Sequence, residues 1–183
     1  MAAISYTFFY KSSHFCSQWF SCKFNIGGRT FNCAEQWMMY SKAILFNDKS
    51  TAQLILNSRS PKEQKALGRK VKNFDQARWD RYAKAIVFVG NLAKFSQYPE
   101  LYDQLVATAG TTLVEASPYD SIWGIGLKQD HPDARQRDRW RGLNWLGFTL
   151  TILRDKMMTD GGYRLLSGQD MRLKDVPEEV GKI

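Results

Sequence analysis

The chain has 183 residues, enough for one domain with a sizeable core. Its composition is globular, 44% hydrophobic, 24% charged and 14% aromatic, and no stretch approaches the roughly 20 apolar residues that a membrane-spanning helix needs. A formal net charge of +8 favours anionic partners such as nucleotides, pyrophosphates or nucleic acid, although charge of this size also serves solubility.

Three cysteines, Cys16, Cys22 and Cys33, lack CxxC spacing and read as reduced thiols of a cytosolic protein. His14 and His131 are far apart and belong to no Cys/His cluster, so neither a zinc site nor a Ser-His-Asp triad is expected. The N-terminal MAAISYTFFYKSS has neither the basic start nor the apolar run of a secretory signal. The expectation is a soluble, cytoplasmic protein with no membrane partner.

Residues 4–10, ISYTFFY, are β-branched and aromatic and predict a short strand, followed by the aromatic loop HFCSQWF. Gly27-Gly28 predicts a hairpin between residues 22–26 and 29–31. The hairpin delivers the chain into a helix over residues 31–46, FNCAEQWMMYSKAILF, on which Glu35 and Lys42 share a face. At about 3.6 residues per turn, seven positions return to within about 20° of the same face, about 10 Å along the axis. Two readings of these residues stand side by side. Asn32 and Glu35 fit a capping pattern, and Lys42 fits a solvated surface position. Alternatively, the helix is apolar on nearly every other side and therefore buried, so that a carboxylate and an amine on it need partners or a purpose.

Asn47-Asp48 closes that helix, and residues 49–57 form a short one. Ser60-Pro61 with Glu63 starts another, which stops near Gly68-Arg69. Gly68 and Arg69 suit either a phosphate-gripping corner or a plain helix end. Residues 74–97 carry an apolar stripe through Trp79, Tyr82, Ala83, Ile86, Val87, Val89 and Leu92, with Arg78, Arg81 and Lys84 on the other face. A helix over 99–109 and a strand over 111–115 follow. Then comes EASPYDSIWGIGL, in which Pro118 and Asp120 suit a turn and Trp123-Gly124 suits either a pocket wall or a buried turn. Residues 128–141 read as a mobile polar loop with no apolar anchor before Trp140. Residues 142–158 hold a last amphipathic helix with Leu146, Phe148, Leu150, Ile152, Leu153 and Met157 mostly inward, and Asn144 at its start as cap or ligand. Residues 163–183 weaken into a charged tail. No repeat or linker interrupts the chain, which predicts one domain over 1–183 with its core at about 4–165.

Four blocks in order resemble the NADAR domains, the YbiA-like proteins: FNCAEQWMMYSKAILF, GRKVKNFDQARWDRYAKAIVFVGNLAKFSQ, GTTLVEASPYDSIWGIGL and GLNWLGFTLTILRD. The resemblance implies a mostly helical α+β domain with a small β-hairpin or sheet, acting on N-glycosidic bonds of ribosyl compounds and needing no metal or other cofactor. It places the essential acid on Glu35, the second acid on Asp120, the lysine on Lys42, the key tryptophan on Trp79 and the phosphate-binding pair on Gly68 and Arg69. Trp123, Gly124 and Asn144 also occupy motif positions, and the early FSNF-like motif appears as FCSQW, with Phe15 and Trp19. The expected substrate is ADP-ribose carried on guanine in nucleic acid. The alternatives are a phosphoribosylated intermediate of riboflavin synthesis, or ADP-ribose bound without cleavage.

Overall fold

The computed structural model describes residues 5–159, and the tail expected over 163–183 lies outside them. The strand sequences pair in two small sheets. Gly27 and Gly28 take φ of 55° and 76°, which turns the chain tightly between β2 (Phe24–Ile26) and β3 (Arg29–Phe31). β1 (Tyr6–Phe9) pairs in parallel with β4 (Thr112–Glu115), so its partner comes from the far end of the domain.

Six helices complete the described part: α1 (Ala34–Leu45), α2 (Lys49–Asn57), α3 (Pro61–Gly68), α4 (Gln76–Ser96), α5 (Pro99–Val106) and α6 (Trp145–Thr159). The mostly helical α+β architecture expected from the sequence is therefore observed. α1 is the hub, with α2, α3 and α4 packed on it, and only Lys42 and Ile44 on it are partly exposed. Trp37 anchors the α1–α4 crossing: its ring is fully buried and its Nε1–H donates to the Ile86 carbonyl at 2.7 Å. α6 lies against β4 and α4, which joins the parallel sheet to the helical core. No helix among the described residues is long and apolar enough to cross a membrane.

Four details depart from expectation. Phe31 ends β3, and α1 begins only at Ala34, with Cys33 at its cap position. Asn32 does not cap with Glu35: Gln36 reaches back to accept from the Asn32 N–H at 2.7 Å, while the Asn32 amide bonds to Ser58 and Gln64. Glu35 is thus left out of the cap. Residues 128–141 are pinned rather than loose, because Ala134 is fully buried, Trp140 Nε1–H donates to the Ala134 carbonyl at 2.8 Å, and the Trp140 ring packs on Tyr6. Ile152 points outward at 59% exposure, since the α6 stripe that meets the core runs through Leu146, Leu150, Leu153 and Met157.

Candidate active site

The site assembles where the N-terminal turn of α1 meets α3 and the loop after β4. Glu35 is 5% exposed, and its backbone N–H donates to the Gln18 carbonyl at 2.9 Å. Burial pushes its carboxyl up to about 7, further helped by the nearby charge of Asp120. The cations Lys65 and Arg69 and a hydrogen bond from the Trp19 side chain pull the other way. A buried carboxyl that titrates near neutrality is suited to proton transfer.

Asp120 is held by its own turn. Its Oδ1 accepts from the N–H groups of Ile122 (3.1 Å) and Trp123 (2.8 Å), which leaves Oδ2 facing Lys65 Nζ at 3.6 Å. The pair is partly exposed, so it fixes geometry more than it adds stability. Lys42 lies beside this acid group on α1. Its Nζ stands 4.1 Å from the centre of the Phe74 ring and 5.4 Å from that of Trp79. Desolvation, then the neighbouring Arg69, depresses its ammonium, while Glu35 supports it. Arg69 itself is exposed at the end of α3. Glu35, Lys42, Arg69, Trp79 and Asp120 are therefore brought together, and Trp19 reaches them through Glu35.

The remaining motif residues support this cluster from behind. Gly68 is buried against α1, where an added Cβ would lie 2.0 Å from Met39 Sδ, so close helix packing explains its missing side chain. Gly124 is enclosed by the carbonyls of Asp120 and Glu115, each 2.9 Å from a built Cβ, so it lets the loop close on itself. Asn144 is fully buried: its Oδ1 accepts from the Glu115 N–H and its Nδ2 donates to the Leu113 carbonyl, each at 3.0 Å. That pair of bonds clamps the end of β4 at the site. Trp123 packs edge-on against Trp145, whose ring also carries Lys84 at 4.9 Å. Phe15 stacks on His14 and turns its edge to Phe95 in the loop below.

Residue-by-residue reading overlooked four side chains. Glu115, at the end of β4, is pushed up to about 8 by burial and by Asp120, against the pull of Lys65. Lys65 thus faces Glu35, Glu115 and Asp120 together. Phe74 covers Lys42. Lys94 is fully buried and builds the loop that carries Trp19, with Nζ donating to the carbonyls of Phe15 (2.6 Å) and Ser17 (3.1 Å); burial pushes its ammonium down to about 8. The sequence carries a signal for Lys94, which falls four residues after Gly90 on the buried stripe of α4. For Glu115 the only signal is its place at a strand end before the SPYD turn. Among the described residues, no group of His, Cys, Asp or Glu is placed to hold a metal ion.

This is a mostly helical α+β domain with acids and cations gathered along one face of a buried central helix. The NADAR domain model matches residues 8–158, and the chain belongs to that family. A protein of Acanthamoeba polyphaga mimivirus named as an N-glycosidase is 38% identical over 85% of this chain and 98% of its own length. The chloroplastic riboflavin biosynthesis protein PYRR of Zea mays is 33% identical over 60% of this chain and 16% of its own length. The solution NMR structure of Escherichia coli YbiA superposes with a TM-score of 0.71 at 24% identity, covering 88% of this chain and 89% of that one, a likeness of fold.

Proposed function

We propose that the protein is an N-glycosyl hydrolase that releases ADP-ribose from ADP-ribosylated guanine in nucleic acid. The observation that carries the reading is the buried Glu35, titrating near 7 beside Asp120, Lys65, Lys42 and Arg69. Two carboxyl groups in unequal surroundings divide the work of acid and base. Glu35 protonates the departing base as the C1–N bond breaks and its electron pair passes to nitrogen. Asp120 stabilises the cationic sugar and takes a proton from the water whose oxygen bonds to C1. Arg69 grips phosphate by a forked contact, Trp79 and Trp123 offer flat apolar walls, and the basic surface suits a doubly charged pyrophosphate.

The N-glycosidase name of the mimiviral relative supports the reaction class, and the maize relative motivates a second substrate, a phosphoribosylated riboflavin precursor. The test is release of ADP-ribose from an ADP-ribosylated guanine oligonucleotide, wild type beside Glu35→Gln, with the precursor N-riboside in parallel. Release that falls at least 100-fold in the variant, and in the wild type declines as pH rises through about 7, is the expected result. Cleavage of the precursor alone replaces the substrate. Binding of ADP-ribose without cleavage of either compound replaces the enzyme with a reader domain.

A further inference from the structure

Lys65 is the side chain around which the acids of the site gather. On α3 it follows Gln64, a fully buried residue that ties this helix to the start of α1. The Cys33 thiol donates to Gln64 Oε1 at 3.1 Å, and Gln64 Nε2 donates to Asn32 Oδ1 at 3.0 Å and to the Ser58 carbonyl at 3.3 Å. Three residues further on, Gly68 lets α3 close on Met39 of α1. α3 is therefore fixed on both sides of Lys65, so tertiary contacts set the direction in which the lysine leaves it. Arg69 stands four residues on, on the same side of the helix end.

The ammonium meets Asp120 directly. Lys65 Nζ lies 3.6 Å from Asp120 Oδ2, while Oδ1 is taken by the N–H groups of Ile122 and Trp123. The turn and the lysine thus hold one oxygen each, and the carboxylate has one orientation. A carboxylate oxygen accepts more than one hydrogen bond, so the Lys65 contact leaves Oδ2 open to a water. Glu35 and Glu115 feel the same cation. Burial raises both, and Lys65 is the foremost cation opposing it at Glu35 and the cation that opposes it at Glu115. Arg69 acts on Glu35 more weakly than Lys65 does, and Lys42 is itself supported by Glu35.

We propose that Lys65 is a positioning residue of the N-glycosidase reaction, one cation that orients the Asp120 carboxylate for its work on sugar and water and balances Glu35 and Glu115 beside it. The inference rests on the N-glycosidase reading and adds the residue that lets neighbouring acids take different parts. Pairing at Asp120 puts the positive charge nearest the acid that meets the cationic sugar, and leaves the proton to Glu35.

Carbon-13 NMR titration of the Glu35 carboxyl, read without substrate, tests this on the wild type, Lys65→Met, Lys65→Arg and Lys62→Met, each checked by thermal melting. Beside it runs the pH profile of hydrolysis of an ADP-ribosylated guanine oligonucleotide or a riboflavin-precursor N-riboside, whichever the wild type cleaves. The Lys65 side chain is 37% exposed, so its replacement is not expected to prevent folding, and Lys62→Met removes the same charge from an exposed position on the same helix. In Lys65→Met, Glu35 is expected to titrate about one pH unit above its value of about 7, and the decline of rate at high pH to move up with it. The rate below that decline is expected to fall about tenfold. Lys65→Arg restores both, and Lys62→Met behaves as wild type. A Glu35 titration unmoved in Lys65→Met, or moved equally by Lys62→Met, overturns the role and leaves the N-glycosidase reading standing where the wild type turns over. A moved titration with no turnover of either riboside by the wild type overturns the N-glycosidase reading itself, and with it any part for Lys65 in that reaction.

Discussion

Lys42 shows how local surroundings decide what one side chain can do. On an open helix face its amine would stay protonated. Here Phe74 and Trp79 cover it and Arg69 repels its charge, so a larger share of neutral amine is present near neutral pH. A neutral amine can attack the aldehyde of an opened ribose and lose water to form an imine. Borohydride reduction during turnover decides whether it does so: covalent capture of substrate by wild type, absent in Lys42→Arg, marks a nucleophile. No capture, with Lys42→Arg retaining at least a tenth of wild-type turnover, marks a cation that holds its neighbours in place. Glu35 owes its availability to a neighbour in the same way, because Gln36 takes the capping role and the carboxyl is left to Lys65, Asp120 and Arg69.

At the scale of elements, the site depends on how closely helices approach α1. Gly90 of α4 lies over Trp37, where an added Cβ would sit 2.2 Å from Cδ1, inside a core with no spare volume. Gly90→Ala is therefore expected to lower stability by about 1–3 kcal/mol, read as a drop in the urea midpoint with unchanged slope. The gain in helix propensity from Gly to Ala, at most about 1 kcal/mol, does not offset the clash. Gly68 sets the approach of α3 in the same manner, and α3 carries both Lys65 and, at its end, Arg69. Packing glycines thus place the cations that face the acids.

For the whole molecule, the buried carboxyls tie stability to pH. Glu35 titrates near 4.5 when unfolded and about 7 when folded, so the folded state holds the extra proton between those values. Its contribution is fully present below about 4.5 and lost as pH rises through about 7, an effect of about 3 kcal/mol. Glu115 extends the decline to about 8. His14, whose imidazolium is depressed by burial and then by Lys94, works in the opposite direction below its ordinary value. The expected profile is a melting temperature that falls between pH 5 and 8. Glu35→Gln should be more stable than wild type at pH 8 and no more stable near pH 4.5, while losing turnover; equal melting temperatures at pH 8 would contradict the burial of a charge at this position.

Much of this fold is legible in the chain because its signals are local. The Gly-Gly turn, the Ser-Pro helix start at Ser60-Pro61 and the 3.6-residue stripe of α4 act through neighbours a few positions away, and residues 8–158 match the family model as the block order suggested. What only the tertiary structure decided depends on groups distant along the chain. The parallel pairing of β1 with β4, the clamp of Asn144 on Glu115, and the gathering of three carboxyls around Lys65 have no periodicity to betray them. Sequence alone determined which acids and amines exist and which helix carries Glu35 and Lys42. Burial and long-range contact determined which of them titrate near neutrality, because desolvation and charge coupling arise only once the chain has closed around them.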